Sequence, residues 1–341
     1  MTWIRDEMHA LVDNVQEVRE ADAPRLAIVF IHGIYSSAKT FEPMFVAMRD
    51  SREMTQRLVE FWYYDYDFHN SIEDNGGTFA QLLSRHFTDR DKVVIVAHSM
   101  GGLVSRLALV GRRLSFVKLL FLLGTPNSGA VRLAQLGLLS GLIQEEVGGL
   151  FALFPRKAGI ADLTRASTIL ESYVERHSAS NVHDICYASI PGLVFHKEMG
   201  MVRYFREGRS KLFGAVEVGS EILSQVVPFF SIKLARPHDG IVEETSNNLI
   251  DCQAWHEKND SVGRQRPDSA AYTYLHVRIK PDCRKLDHVQ LHKDPKVIST
   301  VERLSIVAFD RTQSDSRTSC LKTWVESFTD EDRRSYDIPD R

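Results

Sequence analysis

The sequence predicts an α/β fold with a mostly parallel central sheet, helices on both faces of that sheet and an inserted helical cap. Three observations predict it: apolar runs of strand length, helix-like segments between them, and long apolar stretches that interrupt this alternation after residue 130. Continuous apolar runs suit strands that are buried on both faces of a parallel sheet. With 341 residues, the chain has room for a large core.

The alternation sets the expected elements. Strands are predicted at 26–31, 58–64, 92–97 and 117–123, and helices at 40–50, 76–87 and 101–112, the second helix starting at Gly76-Gly77. A return to the sheet is predicted within 183–194, and the last core strand at 272–277.

These elements divide the chain into seven segments. They are an N-terminal helical extension (1–23), the first part of the sheet domain (24–130), a cap insertion (131–182), a core strand (183–194), a second insertion forming a lid or cap (195–236), the second part of the sheet domain (237–310) and a C-terminal segment (311–341). The last segment is either a polar tail or a docked helix. Spaced apolar residues favour the helix: Leu321, Trp324, Val325 and Phe328.

Composition excludes several classes of function. Lys and Arg number 42 against 45 Asp and Glu, so the chain has no bulk attraction to nucleic acid. Its four cysteines are widely separated, which favours a reducing compartment over a disulfide framework. The N-terminus lacks the apolar core of a secretory signal, and we expect a cytoplasmic protein. No metal-binding or phosphate-binding motif is present, so neither metal nor cofactor is expected. The oligomeric state is not predicted.

Residues 97–102, Ala-His-Ser-Met-Gly-Gly, lie between a predicted strand and a predicted helix. A serine on such a turn is lifted clear of the sheet, and nearby glycines let the helix approach the strand. The usual pattern is Gly-x-Ser-x-Gly, and Ala97 replaces its first glycine with another small residue. Ser99 is therefore the candidate nucleophile.

A serine that attacks a carbonyl needs two fixed N–H donors for the oxyanion. The residue after the serine, Met100, supplies one candidate donor. The other is expected in the loop after the first strand, where Gly33 permits close backbone approach and Ile34 follows it.

These segments resemble the α/β-hydrolase family, specifically its lipase and esterase branch. The resemblance is carried by His32-Gly33, by residues 97–102 and by residues 124–129, Gly-Thr-Pro-Asn-Ser-Gly. Residues 287–293 also resemble the histidine segment of intracellular lipase-like proteins similar to glycosylphosphatidylinositol-inositol deacylases and to serine-active-site relatives of phosphatidylglycerol-remodelling enzymes. The resemblance implies an α/β-hydrolase fold and a Ser-Asp-His triad.

The acid and the base should follow the serine in that order. Asp239 lies in an Asp-Gly-Ile-Val string, where similar family members place their acid, and Asp251 and Asp260 are alternatives. His288 follows the last predicted strand, and the resemblance favours it over His292. The remaining histidines near the motifs, among them His32, His98, His196 and His238, are interpreted as local hydrogen-bonding or loop residues.

The predicted function is hydrolysis of carboxylic esters, by a lipase, an esterase or a phospholipase, through an acyl-enzyme intermediate. The apolar cap indicates an acyl-ester or lipid substrate and allows peripheral contact with a membrane. A thioesterase, an acyltransferase or an amide hydrolase could use the same triad, because nucleophile and base do not identify the leaving group. A non-catalytic scaffold that binds an acyl ligand or a protein is a third hypothesis.

Overall fold

The computed structural model describes residues 7–10, 23–34, 36–111, 114–127, 129, 162–163, 185–193, 239, 242, 246, 274–279, 286, 288–310 and 323–337. The strands in this part of the chain are β1 (Glu7–Ala10), β2 (Leu26–Ile31), β3 (Glu60–Asp65), β4 (Lys92–His98), β5 (Val117–Leu123), β6 (Cys186–Ile190), β7 (Tyr274–His276), β8 (Arg278–Ile279) and β9 (Tyr336–Asp337). The helices are α1 (Glu42–Arg49), α2 (Arg52–Gln56), α3 (Ile72–His86), α4 (Met100–Gly111), α5 (Pro295–Asp310) and α6 (Asp330–Ser335), with short 3₁₀ helices at Ala38–Phe41 and Leu291–Lys293. A further helical segment covers 323–327.

Seven strands form one sheet in the order β1-β3-β2-β4-β5-β6-β7. The pairs from β3 to β7 are parallel, and β1 pairs with β3 antiparallel at one edge. This arrangement confirms the mostly parallel sheet that the apolar runs predict. Because the carboxyl ends of parallel strands all lie on the same side of the sheet, the residues that follow β2, β4 and β5 meet there.

Alternate residues of the central strands enter two separate cores. In β4, Val93 and Ile95 pack on one face with residues of α3 and α4, such as Phe79 and Leu107. The other face receives Val94 and Val96 of the same strand, with residues of α1 and α5. Helices therefore cover both faces, as the sequence predicts.

The predicted helical extension over 1–23 is wrong at Glu7–Ala10, which form the edge strand β1. Met8 is buried in the core, and the four residues pair with Trp62 to Asp65. A partner strand distant in sequence supplies these hydrogen bonds, so local helical preference does not decide the conformation.

Helix α3 begins before the expected position. Ser71 is its N-cap and its side chain accepts a hydrogen bond from the amide of Asp74. The pair Gly76-Gly77 therefore lies inside the helix rather than at its start. An added Cβ at Gly76 would lie 2.9 Å from Leu107 Cβ, so the glycine lets α4 pack closely against α3.

Most of the predicted cap (131–182) and all of the second insertion (195–236) lie outside the described residues. The exception is the pair Asp162 and Leu163. Asp162 accepts a hydrogen bond from the amide of Ile72 at 3.0 Å, and Leu163 is buried in the α3 side of the core. The segment is thus anchored where α3 begins.

Near the C-terminus, Trp324, Val325 and Phe328 are buried on the α5 side of the sheet. They lie in and just after a short helical segment at 323–327. Leu321 lies outside the described residues. None of the described helices is long and apolar enough to cross a bilayer.

Candidate active site

Ser99 occupies the single position between the end of β4 and the start of α4. Its φ is 55°, in the left-handed region that non-glycine residues rarely adopt. The Ser99 amide donates to the carbonyl of Leu123 at 2.9 Å, and the Ser99 carbonyl accepts from the amide of Gly102 at 3.0 Å. This is the sharp strand-to-helix turn that the motif predicts for a nucleophile.

Two glycines after the serine allow this turn to pack. A Cβ at Gly101 would lie 2.7 Å from the carbonyl oxygen of Ile31, at the end of β2. A Cβ at Gly102 would lie 2.6 Å from Thr125 Cγ2. The first turn of α4 therefore sits directly on β2 and on the loop after β5, which explains the small residues in the motif.

The loop after β2 passes over the nucleophile. A Cβ at Gly33 would lie 2.8 Å from Ser99 Cβ and 3.1 Å from His98 Nδ1. Ile34 follows at once and is partly buried against the core. Met100 is the first residue of α4, where backbone amides have no partner inside the helix. Gly33 thus lies beside Ser99, with Ile34 next to it in the loop, and Met100 follows Ser99 directly.

Asp239 and His288 form a buried hydrogen-bonded pair. His288 Nδ1 donates to Asp239 Oδ2 at 2.7 Å, and the His288 amide donates to the Asp239 carbonyl at 3.0 Å. Asp239 Oδ1 accepts from the amide of Val242 at 2.7 Å. Both carboxylate oxygens of Asp239 accept hydrogen bonds, and the bond to Nδ1 fixes the orientation of the His288 ring. The other ring nitrogen, Nε2, is the one that remains for a second partner. The alternatives Asp251 and Asp260 lie outside the described residues.

Neighbouring residues bring this pair to the serine turn. A Cβ at Gly124, directly after Leu123, would lie 3.0 Å from His288 Nδ1. His98, directly before Ser99, donates from Nε2 to the carbonyl of His288 at 2.8 Å. No hydrogen bond to the Ser99 hydroxyl comes from the described residues, His288 included. In enzymes without substrate such bonds are often long or poorly aligned.

His292, the rival base, occupies a different environment. Its ring lies 5.1 Å from that of His98 and 5.8 Å from that of Phe41. Burial, with smaller contributions from Lys293 and His288, lowers the pKa of His292 to about 3. Burial, followed by His288 and His292, also holds the pKa of His98 well below its ordinary value. Both rings are therefore neutral near pH 7, and the structure pairs Asp239 with His288.

A second polar cluster ties the loop after β5 to the segment that carries the acid. Arg106 Nη1 donates to Asn127 Oδ1 at 3.0 Å, and the Asn127 amide donates to the Ser246 carbonyl at 2.8 Å. Ser246 Oγ donates to the Gly129 carbonyl at 2.7 Å. The resemblance singled out residues 124–129, but their function in holding the acid segment was not predicted from the sequence.

The described residues contain no group of three His, Cys, Asp or Glu side chains that could hold a metal ion. What they do bring close together is a serine on a strained turn, the glycine loop after β2 and a hydrogen-bonded Asp–His pair. This arrangement is suited to nucleophilic attack on a carbonyl carbon.

Residues 23–145 match the family model described as PGAP1-like alpha/beta domain. This range contains β2 to β5 and the turn at Ser99. No curated protein matches the chain.

Among solved structures, the mature form of the lipase BlEst2 from Bacillus licheniformis is similar to the chain, with a TM-score of 0.52 and 19% identity over 85% of this chain and 94% of that one. The propeptide form of the same lipase gives a TM-score of 0.49 and 18% identity over 88% and 54%. The lin2722 gene product of Listeria innocua gives 0.45 and 13% over 86% and 97%. At such identities, the likeness to the mature lipase concerns the fold. Together with the family match over residues 23–145 and the sheet order, it shows that the chain has the α/β-hydrolase fold.

Proposed function

We propose that the chain is a serine hydrolase that cleaves carboxylic esters, with Ser99 as nucleophile, His288 as general base and Asp239 as the acid that orients the base. One observation carries the proposal: a serine at a φ of 55° lies on a strand-to-helix turn, and His98 of that turn bonds the segment holding the buried Asp239–His288 pair. A structural role alone would not require a serine at this backbone angle, because glycine adopts it without strain.

The reaction follows from these positions. His288 Nε2 takes the Ser99 proton while Oγ forms a bond to the carbonyl carbon of the ester. The oxyanion accepts hydrogen bonds from the amides of Ile34 and Met100, and the protonated His288 gives its proton to the departing alkoxide. A water then attacks the acyl-enzyme, with His288 again taking the proton; the bond between the acyl carbon and Ser99 Oγ breaks, His288 returns the proton to Oγ, and the acid is released. Asp239 keeps the ring oriented and stabilises its cationic form throughout.

The proposed substrate is an ester with a sizeable apolar acyl group, such as a lipid. The proposal is supported by the apolar stretches of the cap (131–182) and of the second insertion (195–236). We place the protein in the cytoplasm, with peripheral membrane contact through those segments. The anchoring of Asp162 and Leu163 at the start of α3 ties the cap segment to the sheet domain.

Covalent labelling tests the nucleophile. A fluorophosphonate probe should modify the wild-type protein on the peptide that contains Ser99, and Ser99→Ala should not be labelled. Ser84→Ala is the matched control, because Ser84 lies on α3 and its hydroxyl only bonds the carbonyl of Ala80. A label on another serine, together with full activity of Ser99→Ala, would refute the assignment.

The base is tested by comparing two histidine variants at equal folded concentration. His288→Ala should lose about a thousandfold or more in kcat, as expected for a member of a triad. His292→Ala should keep most of its turnover, because its ring is not bonded to Asp239. The opposite ranking would assign the base to His292.

The acyl group is tested with p-nitrophenyl esters from acetyl to palmitoyl, kept below their critical micelle concentrations, beside phospholipids, an acyl-CoA and an anilide. Each methylene buried is worth about 0.8 kcal/mol, so kcat/KM should rise by roughly tenfold or more per two carbons until the pocket is full. A flat or falling series would exclude a large acyl pocket. A preference for acyl-CoA or for the anilide would show that the preferred substrate is a thioester or an amide rather than an ester.

A further inference from the structure

His32, the residue before Gly33, is held at both ends of its ring. Its Nδ1 lies 2.8 Å from the carbonyl oxygen of Gly33, and its Nε2 lies 2.8 Å from Asp65 Oδ1. The side chain of His32 is fully buried. The register of β2 and β3 explains the contact, because it pairs Ile31 with Tyr64 and brings the next residues of both strands together.

Tyr66 fixes the remaining freedom of this histidine. The two rings stack with centroids 4.4 Å apart and an interplanar angle of 14°. The Tyr66 hydroxyl donates to the His32 carbonyl at 2.9 Å. The ring of His32 therefore has a defined position relative to the loop that passes over Ser99.

The bond to Gly33 has a consequence for the next residue. A carbonyl can only accept, so Nδ1 of His32 carries the hydrogen of this bond. In the neutral ring, Nε2 then accepts from the amide of Tyr66 at 3.3 Å, and in the cationic ring Nε2 donates to the Asp65 carboxylate. The bond to Gly33 is the same in both forms. In a planar trans peptide the C=O and N–H bonds point in opposite directions. The carbonyl of Gly33 and the N–H of Ile34 belong to one peptide plane, so holding that oxygen also aims that N–H.

This peptide has particular need of such a restraint. Gly33 must lack a side chain because a Cβ would lie 2.8 Å from Ser99 Cβ. Glycine also lowers the barrier against rotation of its own peptide plane. A rotated plane would turn a carbonyl oxygen, rather than an N–H, toward the position of the oxyanion.

We propose that His32 is a positioning residue of the oxyanion hole, which orients the Ile34 N–H by holding the Gly33 carbonyl, with Asp65 and Tyr66 holding the histidine. The inference rests on the proposed function of Ile34 as an oxyanion donor. It assigns to His32 an effect on the transition state rather than on substrate binding, because the oxyanion forms only during the reaction.

Three variants separate the donor from the ring. His32→Phe keeps a planar ring but removes the donor to Gly33. His32→Asn keeps an N–H near the position of Nδ1. Asp65→Ala removes the far contact of the ring at a residue that is partly exposed, and it provides a second test if His32→Phe does not fold.

Kinetics and inhibitor binding supply the first readouts. His32→Phe should lose about a hundredfold in kcat with little change in KM, as expected for an oxyanion donor. Its affinity for a medium-chain trifluoromethyl ketone, which forms a tetrahedral oxyanion on serine, should fall by a similar factor. His32→Asn should recover at least tenfold of both losses, and Asp65→Ala should show a smaller loss of the same kind. A loss expressed in KM alone, or a His32→Phe enzyme within threefold of wild-type kcat, would overturn the inference.

A crystal structure of His32→Phe gives an answer that does not depend on activity. The Gly33–Ile34 peptide should be rotated or present in two orientations, and it should return to one orientation in His32→Asn. An unchanged peptide plane in His32→Phe would overturn the inference even if the proposed function holds. Conversely, absence of fluorophosphonate labelling in the wild-type protein would refute the proposed function, while the peptide orientation would still decide whether His32 holds this loop.

Discussion

Replacement of Gly33 by alanine offers a quantitative test of the proposed oxyanion loop. The φ of Gly33 is not positive, so glycine is required here for lack of space rather than for the backbone angle. The new methyl group would start 2.8 Å from Ser99 Cβ, 3.1 Å from His98 Nδ1 and 3.3 Å from the His98 carbonyl oxygen. Carbon atoms in favourable contact are about 3.5–4.0 Å apart, so the loop must retreat by roughly 0.7–1.2 Å.

That retreat is large enough to remove a hydrogen bond. An N–H donor at about 2.9 Å from the oxyanion would move to about 3.6–4.1 Å, beyond the range of a useful bond. Loss of one oxyanion donor typically lowers kcat by about 10²–10³-fold, or about 2.7–4 kcal/mol. We therefore expect Gly33→Ala to lose a hundredfold or more in kcat, with KM changed far less.

The assay is steady-state hydrolysis of the best ester of the series, with circular dichroism to verify folding. Gly77→Ala is the matched control, because an added Cβ there meets nothing within 4 Å and the residue lies on α3 rather than in the loop beside Ser99. A folded Gly33→Ala enzyme with kcat within threefold of the wild-type value would refute the argument that an oxyanion donor lies in this loop.

Two further predictions concern stability. In urea unfolding, Gly77→Ala should stabilise the protein by up to about 1 kcal/mol, because alanine has the higher helix propensity. Gly76→Ala should destabilise it by about 1–2 kcal/mol, because its Cβ would lie 2.9 Å from Leu107 Cβ. Equal effects of the two substitutions would contradict this account of α3 packing. His292, with a folded pKa of about 3 against an unfolded value of about 6.5, binds fewer protons when folded, so its contribution to stability is present above pH 6.5 and is lost as the pH falls toward 3. Between pH 7 and pH 5, the free energy of unfolding of His292→Gln should therefore fall by about 2 kcal/mol less than that of the wild-type protein. An unchanged pH dependence would show that the folded state does not disfavour protonation of this ring.

Local signals in the sequence were sufficient for the strands and for the serine turn. The apolar runs predict β2, β4 and β5 within one residue of their observed bounds. The small residues around Ser99 predict the turn, because only a tight approach of α4 to β2 requires them. The early start of α3 also has a signal in the sequence, since Ser71 followed by Asp74 is a capping pattern, and in the structure it outweighs the glycine pair at 76–77.

Contacts between distant segments account for what the sequence did not reveal. The edge strand β1 depends on pairing with β3, more than fifty residues later. The interpretation of His32 as a local hydrogen-bonding residue holds for its contact with the Gly33 carbonyl, but its contact with Asp65 is not local, and His98 bonds the backbone of His288. No spacing in a single sequence shows which carbonyl or carboxylate a buried histidine will meet.

The backbone angle of Ser99 implies a conflict between activity and thermal stability. A non-glycine residue in the left-handed region costs about 1–2 kcal/mol, partly offset by the entropy that glycine loses on folding. Ser99→Gly should therefore be more stable than Ser99→Ala, which keeps the strain, by about 0.5–1 kcal/mol, and should melt a degree or two higher. Both variants should be inactive. A search for thermostable variants that did not also measure turnover would then select glycine at this position, and with it a hydrolase scaffold that has lost its chemistry.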